Sequence, residues 1–77
     1  MNDDFDLTKR ESVVLFLLMR AKTAKQIARS LSISYRTVES HIVTIKHKMN
    51  CATKAEMLDK AADSDLGNTL LLSMLTA

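Results

Sequence analysis

Hydrophobic residues recur in this sequence at the spacings of three and four positions that are typical of amphipathic helices. The clearest pattern follows Ser34, a residue that can cap the start of a helix. Four apolar residues after it fall on one helical face: Val38, Ile42, Ile45 and Met49. The opposite face, with Glu39 and Thr44 at its sides, carries Arg36, Ser40, Val43 and His47. The pattern predicts a helix over residues 34–49 with one face in a core and the other in solvent.

Three capping boxes, each a threonine followed three positions later by glutamate or glutamine, predict where the other helices begin. They start at Thr8, Thr23 and Thr53. The first helix runs to about Met19, although the β-branched and aromatic residues of 13–18 leave a strand as the alternative. The second helix is short, and its inward residues are Ile27, Ala28 and Leu31. A short helix, a turn over 31–34 and a helix with an outward polar face describe a helix-turn-helix.

The last helix is predicted to run to about Asp63, with a face of small apolar residues that allows another helix to approach closely. This face consists of Ala55, Leu58, Ala61 and Ala62, with Met57 to one side. The predicted organisation is a flexible acidic arm over 1–6, a helical domain over 7–63 and a leucine-rich extension over 64–77. The extension packs on the domain, extends a dimer contact or is disordered.

Composition favours a small, all-helical fold. The 77 residues include one glycine, no proline and one cysteine, Cys51, so residues typical of tight turns are few and no intrachain disulfide can form. The acidic N-terminus is unlike a signal peptide, and no apolar run approaches the ~20 residues that span a bilayer. We therefore expect a cytoplasmic protein without a membrane partner.

Charge is unevenly distributed along the chain. Residues 20–54 contain eight basic residues and one acidic residue, a net charge of +7, whereas residues 1–19 carry −2 and residues 55–77 carry −3. A basic middle is typical of proteins that bind polyanions, although a solvated basic surface is the plain alternative. Together with the polar face of helix 34–49, it favours a helix that contacts the major groove of double-stranded DNA.

The ordered motifs resemble those of a known family. Leu7-Thr8-Lys9-Arg10-Glu11, followed by Val14-Leu15 and Leu17-Leu18, is similar to the opening motif of LuxR/NarL/GerE helix-turn-helix domains. The resemblance continues through Lys25-Gln26-Ile27-Ala28, Leu31-Ser32-Ile33-Ser34, Thr37-Val38, His41, Ile45, Lys48-Met49 and Thr53-Lys54-Ala55-Glu56. It implies an all-α, four-helix LuxR-type bundle, here with a short C-terminal leucine-rich tail. We expect the free-standing, GerE-like kind or a fragment of a longer regulator.

The resemblance also implies a function: a sequence-specific transcription regulator that binds an inverted repeat of double-stranded DNA as a homodimer. By position it places Glu39, Ser40 and Val43 at bases, and it places at or near phosphates Lys25, Thr37, Lys46, Lys48 and Lys54. The dimer contact falls on the last helix, at Ala55, Leu58, Ala61 and Ala62. We expect no cofactor and no small-molecule ligand.

Side-chain chemistry adds to these roles. Arg36 can reach a guanine or a phosphate, and Val43 can meet a thymine methyl group. Tyr35 and His47 are expected near the DNA backbone, where lysines release counterions and supply affinity without sequence preference.

Four positions depart from the family pattern, and one of them is Val13, where the family often has glutamate. Glu39 stands where lysine is common, and its carboxylate can accept from a cytosine amino group or pair with Arg36 one turn earlier. A carboxylate near phosphates is also unfavourable. Ala21 and Asn50 replace usual glycines, although asparagine tolerates the left-handed geometry of a helix end.

Other kinds of function have weaker support. His41, His47 and Cys51 do not share one helical face and lack a fourth ligand, so we expect no metal site. No catalytic motif occurs, and we expect no enzyme activity. The competing hypothesis is a protein-interaction module, such as an anti-regulator that forms mixed dimers without reading DNA. Glu39 and the leucine-rich extension motivate it.

Overall fold

Four helices follow one another in the computed structural model, which describes residues 5–63. They are α1 (Lys9–Met19), α2 (Ala24–Leu31), α3 (Tyr35–Lys48) and α4 (Lys54–Asp63). No strand occurs among the described residues, and residues 13–18 lie within α1, so the strand alternative is wrong. The all-α, four-helix prediction is confirmed. Most of the predicted arm and the whole leucine-rich extension lie outside the described residues.

Each helix begins where the sequence predicts, at a side chain that satisfies free amide groups of the first turn. In α1 the Glu11 amide donates to Thr8 Oγ1 at 3.1 Å, and the Thr8 amide donates to Glu11 Oε1 at 2.9 Å. The other three helices repeat the bond from the third helical amide to the cap, in the pairs Thr23–Gln26, Ser34–Thr37 and Thr53–Glu56. Local chemistry therefore sets all four starting points.

Three helices end at residues in the left-handed conformation, none of them glycine: Ala21 (φ 65°), Ser32 (φ 57°) and Asn50 (φ 56°). After α3, the Asn50 amide donates to the His47 carbonyl at 3.1 Å, and the Cys51 amide donates to the Lys46 carbonyl at 2.9 Å. This pair of bonds is a Schellman motif, and α1 and α2 end with the same pattern. The prediction for Asn50 is confirmed, whereas a Cβ makes the conformation unfavourable at Ala21 and Ser32.

α3 is the central helix and packs against α1, α2 and α4. Its predicted apolar face is buried along the whole helix, from Val38 to Met49. The other helices contribute to the same core Val14, Leu15, Leu18, Ile27, Ala28, Met57 and Ala61. Since full burial of one such large side chain contributes about 1.5–3 kcal/mol, α3 is held firmly in position. None of the described helices has the length and hydropathy needed to cross a membrane.

The side of α4 that faces the core coincides only in part with the apolar face predicted from the sequence. Met57 and Ala61 are fully buried, Leu58 is half-buried, and Ala55 and Ala62 are exposed. The helix carries two parallel apolar pairs, 57/61 and 58/62, and the larger Met57 fills the core. The prediction that Met57 lies to one side is therefore wrong. Assigning Ala61 to the dimer contact is also wrong, because this residue has no accessible surface for a partner.

Candidate nucleic-acid interface

The face of α3 that points away from the core is exposed to solvent. This outer face consists of Arg36, Ser40, Val43 and His47, all of them exposed. Val43 is 54% exposed, so its methyl groups are available to an apolar partner. A shallow, open depression on this side is lined by Arg36, Glu39, Ser40, Val43 and Thr44. The four residues predicted to contact bases thus lie side by side.

A second depression, which we call the lysine groove, lies beside the N-terminal half of α3. Three lysines from three parts of the chain line it: Lys22 before α2, Lys25 in α2 and Lys54 at the start of α4. Tyr35 and Glu39 line the same groove. The fold therefore brings Lys25, Tyr35 and Lys54, three of the predicted phosphate ligands, to one edge of the outer face.

Lys22 was not among the predicted site residues. It follows Ala21 in the turn after α1, and only the tertiary arrangement shows that this turn faces α3. The basic charge of residues 20–54 is the one sequence signal that included it.

The side chains of Tyr35 and Glu39 interact with each other within the lysine groove. The Tyr35 side chain is 49% exposed, and its hydroxyl bonds to the carboxylate of Glu39 one turn later. This bond and the negative charge of Glu39 raise the pKa of Tyr35 above its ordinary value. Among the described residues Glu39 forms no ion pair with Arg36, so the alternative pairing is not what the structure shows.

The C-terminal half of α3 borders another open depression. Lys46 and His47 line it together with Val43, Asn50 and Glu56. His47 is exposed and Lys46 is half-buried, and among the described residues the Lys46 ammonium group has no hydrogen-bond or ion-pair partner. Cationic groups that were predicted to bind phosphates therefore lie beside both the N-terminal and the C-terminal half of α3, on the flank near α4.

Lys48 differs from the other predicted phosphate ligands because its ammonium group is bonded inside the domain. Its Nζ lies 2.8 Å from Glu11 Oε1 and 3.1 Å from the carbonyl oxygen of Asp6. Glu11 is only 6% exposed. The contact ties the end of α3 to the start of α1, and it argues against a phosphate-binding role for Lys48.

The environment of Glu11 lowers the pKa of its carboxyl group. Burial alone would raise that pKa, but the bond from Lys48, the bonds from Thr8 and the charge of Lys48 together outweigh burial. Glu11 Oε1 accepts both the Lys48 ammonium and the Thr8 amide. One carboxylate thus completes the cap of α1 and fixes the end of α3.

A second lysine also fixes the end of α3. Lys60 in α4 donates to the carbonyl oxygen of Met49 at 2.8 Å. Carbonyl groups at a helix C-terminus carry partial negative charge, so a cation stabilises them. Nothing in the sequence pattern indicated this contact.

Two further predicted residues have local roles in the structure. Thr37 is exposed, and its hydroxyl lies 2.8 Å from Ser34 Oγ, so it belongs to the cap of α3. The thiol of Cys51 donates to the Met49 carbonyl at 3.4 Å. Within residues 5–63, histidine, cysteine and carboxylate side chains do not gather into a group that could hold a metal ion.

The four-helix arrangement and its outer face agree with a family match. The model for bacterial regulatory proteins of the luxR family matches residues 6–61, most of the chain. The chain belongs to the luxR family. This is a family of regulatory proteins rather than of enzymes.

Other luxR-family proteins match over much of the chain. The spore germination protein GerE of Bacillus subtilis is 42% identical over 50 residues, which are 65% of this chain and 68% of that protein. The uncharacterized response regulatory protein YgeK of Escherichia coli is 38% identical over 60 residues, 78% of this chain and 41% of that protein. The oxygen regulatory protein NreC of Staphylococcus carnosus is 38% identical over 66 residues, 84% of this chain and 30% of that protein. The chain therefore spans less than half the length of these last two relatives.

Solved structures of two VqmA proteins share this luxR-family fold. The Vibrio cholera VqmA–ligand–DNA complex superposes with a TM-score of 0.80 at 37% identity, covering 87% of this chain and 29% of that chain. The phage VqmA–DPO complex superposes with a TM-score of 0.78 at 42% identity, covering 80% of this chain and 28% of that chain.

Proposed function

We propose that this chain binds double-stranded DNA sequence-specifically and regulates transcription, with α3 inserted in the major groove. One observation carries the proposal: the outer face of α3 is exposed and has lysines beside it, while its reverse face is buried in the core. An α-helix fits the width of the major groove, and a rigidly held helix can bring the same side chains to base edges repeatedly. The VqmA structure that shares this fold is a complex with DNA, which supports DNA binding by this chain. A regulator of bacterial transcription acts on cytoplasmic DNA, so we place the chain in the cytoplasm.

Base contacts and phosphate contacts divide between the outer face and its edges. We assign base reading to Arg36, Glu39, Ser40 and Val43, which line one depression. We assign phosphate binding beside the N-terminal half of α3 to Lys25, Tyr35 and Lys54 and beside its C-terminal half to Lys46 and His47. Thr37, exposed in the first turn of α3, is assigned to phosphate binding as well. Lysines at these positions bind phosphates without reading sequence.

Glu39 is the acidic member of the base-reading set. Its carboxylate lies near the Tyr35 hydroxyl, and its negative charge contributes to the raised pKa of Tyr35. We propose that Glu39 accepts a hydrogen bond from a cytosine amino group, the base group that a carboxylate reads in the major groove.

Dimerisation on an inverted repeat would use the accessible side of α4. Ala55 and Ala62 are exposed and Leu58 is half-buried, so they retain surface for a partner. Small residues here allow two helices to approach closely. This assignment keeps three of the four predicted dimer residues and omits Ala61.

The test is a selection of preferred sequences from random duplex DNA with the full chain, followed by affinity measurements at several salt concentrations. We expect a preferred sequence, and affinity that falls with salt by about 0.9 logarithmic units per phosphate contact for each tenfold rise in salt. Ser40→Ala should change the preferred bases, whereas the control Ser30→Ala, an exposed serine on α2, should not. Failure to bind any duplex, or affinity that ignores salt, would overturn the proposal.

A second candidate function is a protein-interaction module that forms mixed dimers without reading DNA. The acidic Glu39 on the side of α3 that faces solvent favours it, since a carboxylate near phosphates is unfavourable. The same selection from random duplex DNA distinguishes the two functions. A chain that selects no sequence but copurifies with a full-length regulator through α4 would support the module.

A further inference from the structure

Glu39 lies where two parts of the proposed DNA-binding surface meet. It lines the lysine groove together with Lys22, Lys25 and Lys54. It also lines the depression on the outer face of α3, and its side chain is half-buried. One carboxylate thus borders both the groove that we assign to phosphates and the face that we assign to bases.

The negative charge of Glu39 is not neutralised by an ion pair. Among the described residues its carboxylate forms none with the three lysines of the groove or with Arg36. It is also the one acidic residue in the basic stretch 20–54. A phosphate that enters the lysine groove therefore meets three cations and one uncompensated anion. Repulsion between two unit charges about 4 Å apart in water lowers an affinity by about fivefold.

We propose that Glu39 is a specificity-determining residue that acts by repulsion: its carboxylate weakens binding to every duplex that does not offer it a cytosine amino group. The inference rests on the proposed DNA binding and deepens it. Lysines attract the phosphates of all duplexes alike, so they raise affinity without creating a preference. A preference is a difference between affinities, and a penalty on the wrong partners creates one as well as an added contact on the right partner does.

The penalty depends on what the carboxylate meets in each complex. On a duplex without the cytosine, Glu39 loses water and faces phosphates, and no donor compensates for the loss. On the preferred duplex, the cytosine amino group donates to the carboxylate. A hydrogen bond to an ionised group is roughly twice as strong as one between neutral groups, so it offsets the repulsion. The acidic side chain that favours a protein-interaction module therefore also has a use in DNA recognition.

Glu39→Gln in the full chain tests the inference, because glutamine removes the charge but keeps an oxygen that can accept from cytosine. Fluorescence anisotropy measures affinity for the selected duplex and for a scrambled duplex of the same composition. We expect affinity for the scrambled duplex to rise by about fivefold for each bound chain. Affinity for the selected duplex should change little, so the ratio of the two affinities falls.

Base substitution in the selected duplex locates the contact. Each cytosine–guanine pair is replaced in turn, and binding of the original chain and of Glu39→Gln is compared. At one pair the original chain should lose more affinity than the variant does. At all other pairs the two chains should lose affinity equally.

Asp63→Asn is the matched control, since it removes the same charge from an exposed position. Asp63 lies nine residues after Lys54 on α4, which is about 13 Å along a helix. This exceeds the distance of about 8 Å over which charges are screened at physiological salt. The control should therefore leave the ratio of the two affinities unchanged.

The outcomes separate this inference from the proposed function. If Glu39→Gln raises both affinities equally, or changes neither, while the original chain prefers the selected duplex, the inference on Glu39 is overturned and DNA binding stands. An original chain that binds no duplex would overturn the proposed function, and the inference with it.

Discussion

Two lysines on α3 have different environments although only one residue separates them. Lys48 donates to Glu11 at 2.8 Å and ties α3 to α1. Lys46 borders an open depression, and its ammonium group has no partner among the described residues. Because each residue turns an α-helix by about 100°, the two side chains leave α3 on opposite flanks.

The difference teaches that charge and position along a helix do not assign a function. Lys46 and Lys48 were predicted to play the same phosphate-binding role. Their roles differ because Glu11, 37 positions before Lys48 in the sequence, bonds the ammonium group of Lys48. The flank with Lys48 holds the helix, and the flank with Lys46 is available to a polyanion. Variants of the two lysines should therefore affect different properties, one mainly folding and the other mainly binding.

Replacing Lys48 should give the largest change in stability. Lys48→Ala leaves the carboxylate of Glu11 buried without its cation, and we expect unfolding to require about 2 kcal/mol less at neutral pH. Urea denaturation followed by circular dichroism measures the difference. Lys46→Ala is the matched control and should change stability by less than about 0.5 kcal/mol, as surface substitutions usually do. Equal losses in the two variants would contradict the assignment.

The stabilising effect of Glu11 should depend on pH. The folded chain holds the pKa of Glu11 below its ordinary value, 4.5, so the unfolded chain binds a proton more readily. Its contribution is complete above the ordinary pKa and is lost as pH falls through the folded pKa.

Glu11→Gln isolates this contribution, because glutamine keeps the oxygen that accepts from Thr8 but has no charge for Lys48. We expect the variant to be less stable than the original chain by about 1 kcal/mol at pH 7. The difference should shrink in increasingly acidic solution below pH 4.5. Denaturation of both chains at a series of pH values checks this. A difference that stays constant with pH would mean that charge is not its cause.

Replacing Lys46 should weaken DNA binding with little effect on folding. Lys46→Ala removes one positive charge near the DNA backbone. The attraction between such a charge and a phosphate is on the order of 1 kcal/mol for a pair about 4 Å apart in water. We expect affinity to fall alike for preferred and random duplexes, and the salt dependence to decrease by about one unit per chain. Fluorescence anisotropy at several salt concentrations measures both. A loss confined to the preferred sequence would instead make Lys46 a base-reading residue.

The features that the sequence predicted well depend on neighbours within a few positions. Helix starts follow from caps that bond a group three residues away, as in Thr8 and Glu11. The buried face of α3 follows from one dominant apolar stripe, so its outer face is predictable too. The left-handed Asn50 likewise follows from its place after the last turn.

Features that depend on how helices meet were not predictable from local pattern. α4 offers two apolar pairs, and only packing decides that Met57 enters the core while Leu58 stays at its edge. The contact of Lys60 with the Met49 carbonyl spans two helices. The Glu11–Lys48 pair joins residues that share no periodic relation. A single helical pattern contains no information about which flank another helix will cover.

The smallest expected effect concerns the turn that leads into α3. Ser32 adopts a left-handed conformation at φ 57°, where glycine avoids the clash of a Cβ atom. Ser32→Gly should therefore stabilise the chain by about 0.5–1 kcal/mol. Ser30→Gly is the matched control, since Ser30 is exposed within α2 and glycine in a helix is unfavourable by a similar amount.

Opposite signs for the two glycine variants in thermal denaturation would show that backbone conformation, not loss of a serine hydroxyl, causes the change. DNA affinity of Ser32→Gly should stay unchanged, because the outer face of α3 keeps every side chain and its buried face keeps its core contacts. A stabilised variant with altered sequence preference would contradict this separation, since it would show that the turn sets the orientation of the outer face.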